Sequence, residues 1–165
     1  MTTANATQLR RLLAMKPHPK EGGYFVETYR SAAVIEQEAY PGKRSLCTAI
    51  YYMLTATSFS ALHKVTGDEM FHFYAGDPVE MLQLFPDGSS GLVTLGSEPL
   101  HGMKFQHLVP GGVWQGARLV KGGQYALLGT TMAPGFDFED YATGDRQELI
   151  ARYPDRAELI SQLAR

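Results

Sequence analysis

Cysteine is nearly absent from this chain. Cys47 stands alone, so no disulfide framework can form within the chain and a reducing compartment is permitted. It sits in an apolar run and reads as a small buried residue rather than a nucleophile. Charge of either sign is also scarce in excess. The formal net charge is −2, which gives no electrostatic reason to expect nucleic acid or an anionic membrane as partner. No apolar run approaches the roughly 20 residues that a membrane helix needs. The opening MTTANATQLRRLL lacks the apolar core of a signal peptide, so a cytoplasmic location is the expectation.

What the chain has is length for one domain with a sizeable core, 165 residues, and glycine as punctuation, 17 of them. Residues 5–15 have helical spacing, with an apolar stripe of Leu9, Leu12 and Leu13 and a capping residue in Asn5 or Thr7. Pro17 and Pro19 end that helix. Short strands follow: Tyr24–Tyr29, Ser45–Leu54, Phe59–Val65, Glu69–Tyr74, Val79–Phe85, Gly91–Leu95, Lys104–Val109, Val113–Val120 and Gln124–Met132. Residues 32–43 read as a loop or irregular edge. Turn chemistry recurs between strands, as in Pro86-Asp87-Gly88-Ser89 and Lys121-Gly122-Gly123. The tail from Arg146 to Leu163 returns to helical spacing, broken at Pro154. Many short strands at near-regular spacing predict an all-β barrel or sandwich with short terminal helices.

Chemistry concentrates in FSALHKVTGDEMFHFYAG, Phe59 to Gly76. It reads as a hairpin turning at Thr66-Gly67-Asp68. Side chains alternate along a strand, so Ala61 and His63 share a face, and Glu69 opens the return strand. The hairpin would set an imidazole near a carboxylate inside the sheet. Such a pair can bind a metal, move a proton or hold a polar ligand. It can equally be a satisfied core histidine beside a surface glutamate. Glu27 and Tyr29 share a face of their strand and either line a pocket or form a polar edge. His72 lies three residues beyond Glu69 and points to the opposite face, toward the exterior or an interface. Trp114, the sole tryptophan, reads as a core or dimer anchor.

The spacing His63, Glu69, Gly76 resembles the first motif of the cupin superfamily, and Pro110-Gly111-Gly112-Val113-Trp114-Gln115 resembles the second. Two usual metal-ligand histidines are replaced, by Ala61 and by Gln115. HPKEGGYFVETYRS (18–31), TAIYYML (48–54), HFYAGDPVE (72–80), VPGGVWQGARL (109–119) and APGFDFEDY (133–141) together are similar to a small cupin family of about this length. That resemblance implies a double-stranded β-helix, a jelly-roll barrel spanning 1–165, paired as a homodimer. Pairing would also cover strand edges and exposed aromatics.

Gly23-Tyr24-Phe25-Val26-Glu27 and Ser60-Ala61-Leu62-His63 more faintly resemble the deoxysugar 3,5-epimerases, in which the matching histidine is the catalytic base. The arginine that helps those enzymes hold a nucleotide-sugar diphosphate is missing here. Three functions stay open. In the first, the barrel is an isomerase or epimerase site, with His63 as base, Glu69 orienting it and Tyr52 returning the proton. In the second, the barrel binds a small molecule without chemistry, with Glu27, Tyr29, Tyr52, Ala61 and Gln115 lining the site. In the third, His63, Glu69 and Gln115 hold a divalent metal weakly, since glutamine is a poor ligand for transition metals. The expectation is no tightly bound metal and no other cofactor.

Overall fold

The computed structural model describes residues 5–165. Helix α1 (Ala6–Leu12) leads into β1 (Lys16–Pro17), β2 (Tyr24–Arg30), β3 (Val34–Ile35), β4 (Arg44–Ser45) and β5 (Thr48–Thr55). Then come β6 (Ser60–Val65), β7 (Glu69–Gly76), β8 (Val79–Leu84), β9 (Ser90–Leu95) and β10 (Gln106–Val109). The last strands are β11 (Trp114–Leu119), β12 (Tyr125–Met132) and β13 (Tyr141–Thr143), followed by α2 (Arg146–Arg152) and α3 (Ala157–Leu163). Among the described residues, no helix is long and apolar enough to cross a membrane.

Two antiparallel sheets make the barrel. One has the order β1-β2-β5-β12-β7-β10 and the other β13-β6-β11-β8-β9; β3 and β4 form a separate pair. This jelly-roll arrangement corrects the expected hairpin at Phe59–Gly76. β6 pairs with β11 and β13, whereas β7 pairs with β10 and β12. The chain crosses from one sheet to the other at Thr66–Asp68, so His63 and Glu69 face each other across the interior. Turn residues look alike whether they close a hairpin or carry the chain between sheets.

Register orders the interior into layers. Thr48, Met132 and Glu69 lie side by side on β5, β12 and β7; the next inward row is Ile50, Thr130 and Phe71; the next is Tyr52, Leu128 and Phe73. Tyr52, Phe73, Leu54 and Leu128 belong to one apolar core with Val79, Met81 and Leu95. A second core lies between the five-stranded sheet and the C-terminal helices, joining Leu62, Leu82 and Leu84 to Leu149, Tyr153, Ile160 and Leu163. Trp114 packs against it, with the Lys64 ammonium 4.7 Å above its ring.

The helix at the start is real but shorter than expected. Asn5 caps it and Gln8 completes a capping box. Its apolar stripe is not buried: no residue of α1 is, and Leu12 is 79% exposed. The cap holds its start, and Leu9 and Leu13 are only half-buried, with the Arg10 guanidinium 4.4 Å from the Tyr24 ring centroid. Pro154 falls where expected, in a short 3-10 turn between α2 and α3.

Candidate functional site

His63 is carried inward by the alternation of β6 and is almost fully buried, 2% exposed. Its Nδ1 lies 2.7 Å from the Ala61 carbonyl oxygen. A carbonyl only accepts, so Nδ1 carries the proton, and in the neutral ring Nε2 is a bare acceptor. Nε2 faces Glu21 Oε2 at 3.7 Å. The Tyr141 ring stacks on the imidazole, with centroids 4.9 Å apart and planes 12° apart.

Glu21 comes from a loop that local chemistry holds against β6. Its backbone N–H donates to His18 Nδ1 at 2.9 Å, and its carbonyl accepts from Ala61 N at 2.8 Å. The Ser60 hydroxyl donates to Oε1 at 2.5 Å. Two glycines let this loop come so close. Gly22 and Gly23 have φ of +103° and +68°, and a Cβ would stand 2.4 Å from the Phe59 carbonyl oxygen at Gly22 and 2.6 Å from that of Met53 at Gly23. Any side chain at either position would force the loop, and with it the carboxylate, away from His63. The buried Tyr52 hydroxyl donates to the Gly22 carbonyl at 2.8 Å and fixes the same loop from below.

The opposite wall depends on a β-bulge. Glu27 pairs with Ile50 and Tyr29 with Ala49, so Thr28 is the extra residue. A bulge reverses which side chains point inward beyond it. Glu27 therefore faces the cavity, Tyr29 turns out to solvent, and Arg30 turns in beside Glu27. Arg30 Nε and Nη2 grip the Glu27 carboxylate at 3.0 and 2.7 Å, and Nη2 also donates to the Phe136 carbonyl.

The segment 136–141 closes the mouth. Its backbone is tied to the barrel by Phe136 N donating to Thr48 Oγ1 at 2.9 Å. Beneath it Arg44 grips Asp140 through Nε at 2.8 Å and Nη2 at 2.9 Å, with the two side chains 5% and 2% exposed. Together these elements enclose a cavity of about 180 Å³. His18, Glu21, His63, Glu69 and Thr130 give it polar groups; Phe25, Ile50, Phe136, Phe138 and Tyr141 give it apolar walls.

Burial sets the protonation of these groups. His18 is pushed below its ordinary value by desolvation, which Glu21 only partly offsets. Its Nδ1 accepts from Glu21 N, so the neutral ring carries its proton on Nε2, the tautomer opposite to His63. Glu69 is raised, first by burial and then by the Glu21 charge, against the pull of His63, Thr130 and Gln115. Tyr141 is raised, first by burial and then by Glu21. Its hydroxyl is buried and has no hydrogen-bond partner among the described residues.

His63, Glu69 and Glu27 thus line the cavity. Four expected lining residues do not, each for a physical reason. Tyr29 is turned out by the bulge and is 54% exposed. Tyr52 lies one row deeper, in the apolar core, with its hydroxyl on Gly22. Ala61 acts through its carbonyl, which orients His63. Gln115 lies behind the wall, its Nε2 donating to Glu69 Oε2 at 2.7 Å and its buried Oε1 without a hydrogen-bond partner among the described residues. The carboxylate against His63 Nε2 is Glu21, not Glu69. His72 stays on the outer face, bonded to Thr131 and Gln106 and stacked on Tyr74. Cys47 is half-buried rather than buried. Sequence reasoning missed His18, Glu21, Arg30 and Tyr141, although all four lie in segments already singled out, 18–31 and 133–141.

A jelly-roll barrel with its ligand-sized cavity inside, ringed by inward strand residues, defines a cupin. The family described as "Cupin superfamily (DUF985)" matches residues 7–144, and this chain belongs to it. The Saccharomyces cerevisiae protein YML079W is 31% identical over 160 residues, 88% of this chain and 79% of that one. A Leishmania major hypothetical protein superposes with a TM-score of 0.90 at 30% identity, over 98% of this chain and 99% of its own. Protein SO0799 of Shewanella oneidensis gives 0.89 at 30% identity, over 99% of each. Oxalate decarboxylase of Bacillus subtilis shares the fold alone: TM-score 0.55, 13% identity, 90% of this chain against 37% of that one.

Family membership makes this a small-molecule- or metal-binding cupin. The residues present do not fit a tightly held metal. Among the described residues, no three His, Cys, Asp or Glu side chains come together in a geometry that could hold an ion. Ala61 offers no side-chain donor, and Gln115 could offer only its amide Oε1, a poor ligand for transition metals, while its N–H occupies a Glu69 oxygen. The carboxyl of Glu69 is raised by burial and by a neighbouring negative charge.

Proposed function

We propose that this protein binds a small molecule in the barrel and that His63 exchanges a proton with it, an isomerase or epimerase chemistry. One observation carries the reading. His63 is buried in the cavity wall with Nδ1 fixed on a backbone carbonyl, which leaves Nε2, an acceptor in the neutral ring, at the cavity beside Glu21. That is the arrangement of a general base whose tautomer is set in advance. Nε2 would take a proton from carbon next to a ligand carbonyl, leaving an enolate. The Glu21 carboxylate would stabilise the imidazolium so formed. The pocket phenol is Tyr141 rather than Tyr52. Burial keeps it protonated, so it can give a proton back to the enolate carbon or hydrogen-bond its oxygen.

Native mass spectrometry of the purified protein would detect a co-purifying small molecule. Thermal melts beside a binding assay on His63→Asn and His72→Asn then test the site. His63→Asn is expected to fold normally and lose binding or turnover by roughly tenfold or more, about 1.4 kcal/mol. His72→Asn should change neither. Wild-type affinity in a normally folded His63→Asn protein would remove His63 from the site. Binding lost with no turnover ever detectable in wild type would leave a binding protein.

A further inference from the structure

We infer that the ligand is an uncharged, hydroxyl-rich molecule of one ring, such as a free monosaccharide, and that phosphorylated or nucleotide-linked sugars are excluded. This rests on the reading of the cavity as a small-molecule site. Three observations lead to it.

Size comes first. The cavity is about 180 Å³. An engineered cavity of roughly 150 Å³ takes benzene, so this one holds a single substituted ring. Pockets for drug-sized ligands run to roughly 300–1,000 Å³. A nucleotide-linked sugar would have to leave most of itself outside.

Charge comes second. Glu21, Glu27, Glu69 and Asp137 line the cavity against one fixed cation, Arg30. Arg30 is already consumed, with two of its nitrogens on Glu27 and one of those also on the Phe136 carbonyl. Lys20 and Arg165 are the other nearby cations; neither lines the cavity, the exposed Lys20 ammonium standing 5.3 and 5.4 Å from the Phe138 and Tyr141 ring centroids at the mouth and the Arg165 guanidinium 5.6 Å from that of Phe59. A phosphate buried in this cavity would meet the Glu21, Glu27 and Asp137 carboxylates and lose its water, and among the lining residues described no unpaired cation would repay that loss.

Hydrogen-bond demand comes third. His63 Nε2 and Glu21 Oε2 are two acceptors 3.7 Å apart, facing the same space. In the neutral histidine, neither can satisfy the other. A pair of adjacent hydroxyls brings two O–H donors, one for each. The Tyr141 hydroxyl, without a partner among the described residues, can donate to a third ligand oxygen or accept from it. Phe25, Phe136 and Phe138 supply flat apolar surface for the C–H face of a ring.

The test is a titration of the full-length protein by calorimetry and saturation-transfer NMR with D-glucose, D-mannose, L-rhamnose and myo-inositol. D-glucose 1-phosphate serves as matched anion and D-glucosamine as matched cation. At least one neutral compound should bind at millimolar concentration or tighter, and the phosphate should bind at least tenfold more weakly than glucose. In a folded Glu21→Gln variant that gap should narrow. Failure of every neutral compound to bind overturns the inference, as does phosphate binding as tightly as glucose. Glucosamine outbinding every neutral compound tenfold would also overturn it, in favour of a cationic ligand. The two proposals can fail separately. Phosphate binding that His63→Asn abolishes sinks the ligand class and spares the site. Neutral-sugar binding that His63→Asn leaves intact spares the ligand class and sinks the role of His63.

Discussion

The two ends of the barrel are built from the same strands and do opposite things. Along β5, β12 and β7, the rows Tyr52–Leu128–Phe73 and Leu54–Ala126 are apolar and closed. Two residues further along each strand, the rows Ile50–Thr130 and Thr48–Met132–Glu69 open onto a cavity. The antiparallel pairing of β5 with β12 runs unbroken through all of these rows, with bulges only on the flanking strands, at Tyr74 of β7 and Thr28 of β2. The side chains change, from shapes that fill space to groups that hold protons. Burying His63 and Glu69 costs stability, and the closed end supplies the apolar burial that offsets it. The lesson is that a cupin of this kind keeps its packing and its chemistry on separate rows of one sheet. The two should therefore be separable by mutation.

The largest effect should come from the tie between the barrel and its mouth. Arg44→Ala leaves Asp140 buried without its partner, which is expected to cost about 3–5 kcal/mol. It should also weaken ligand binding, because Asp140 adjoins Tyr141. Denaturant unfolding and a binding assay check both, and a near-neutral result would show that the pair is solvated. Leu128→Ala, at the closed end, should cost about 2–5 kcal/mol and leave affinity in the folded fraction unchanged. Loss of affinity there would break the separation of the two ends.

A smaller effect concerns pH. His18 has its folded value pushed below the ordinary 6.5 by burial, so the unfolded chain binds its proton first. Its contribution to stability is complete above pH 6.5 and is lost as pH falls below that toward the folded value. The stability of wild type relative to His18→Gln should therefore fall on acidification below about 6.5, as thermal melts across the range would show. A constant difference would mean that His18 is not held neutral. His107, also lowered by burial, is common to both proteins and cancels in the difference.

How much of this was legible in the sequence depends on where each residue sits. His63 and Glu69 were readable because strand alternation carries both inward. Glu21 was not, because a loop delivers it. Its approach needs Gly22 and Gly23 at positive φ against backbone that lies far away in sequence. The bulge at Thr28 has no local mark, so Tyr29 was put on the pocket face and Arg30 was overlooked. Tyr141 sits on a strand of three residues, too short to show a period. The barrel itself was clear from its strand spacing and glycine turns, while the crossing between sheets at Thr66–Asp68 carried the signature of a hairpin.

The outer faces differ as well. Helices α2 and α3 cover the five-stranded sheet, whereas on the six-stranded sheet Tyr29 and Tyr74 are 54% and 52% exposed. A two-fold homodimer through that bare face is a separate proposal. Sedimentation equilibrium showing a monomer at micromolar concentration would refute it.

The central claim is that His63 is the ligand-facing group of the open end. Histidine-labelled protein followed by long-range proton–nitrogen NMR tests it directly, during titration with the neutral sugar that binds best. The account predicts that free neutral His63 carries its proton on Nδ1 and His18 on Nε2. On saturation the His63 Nε2 resonance should shift, while those of His72 and the exposed His101 stay still. A His63 ring protonated on Nε2 with Nδ1 bare, or one whose resonances ignore the ligand while His72 responds, would contradict it.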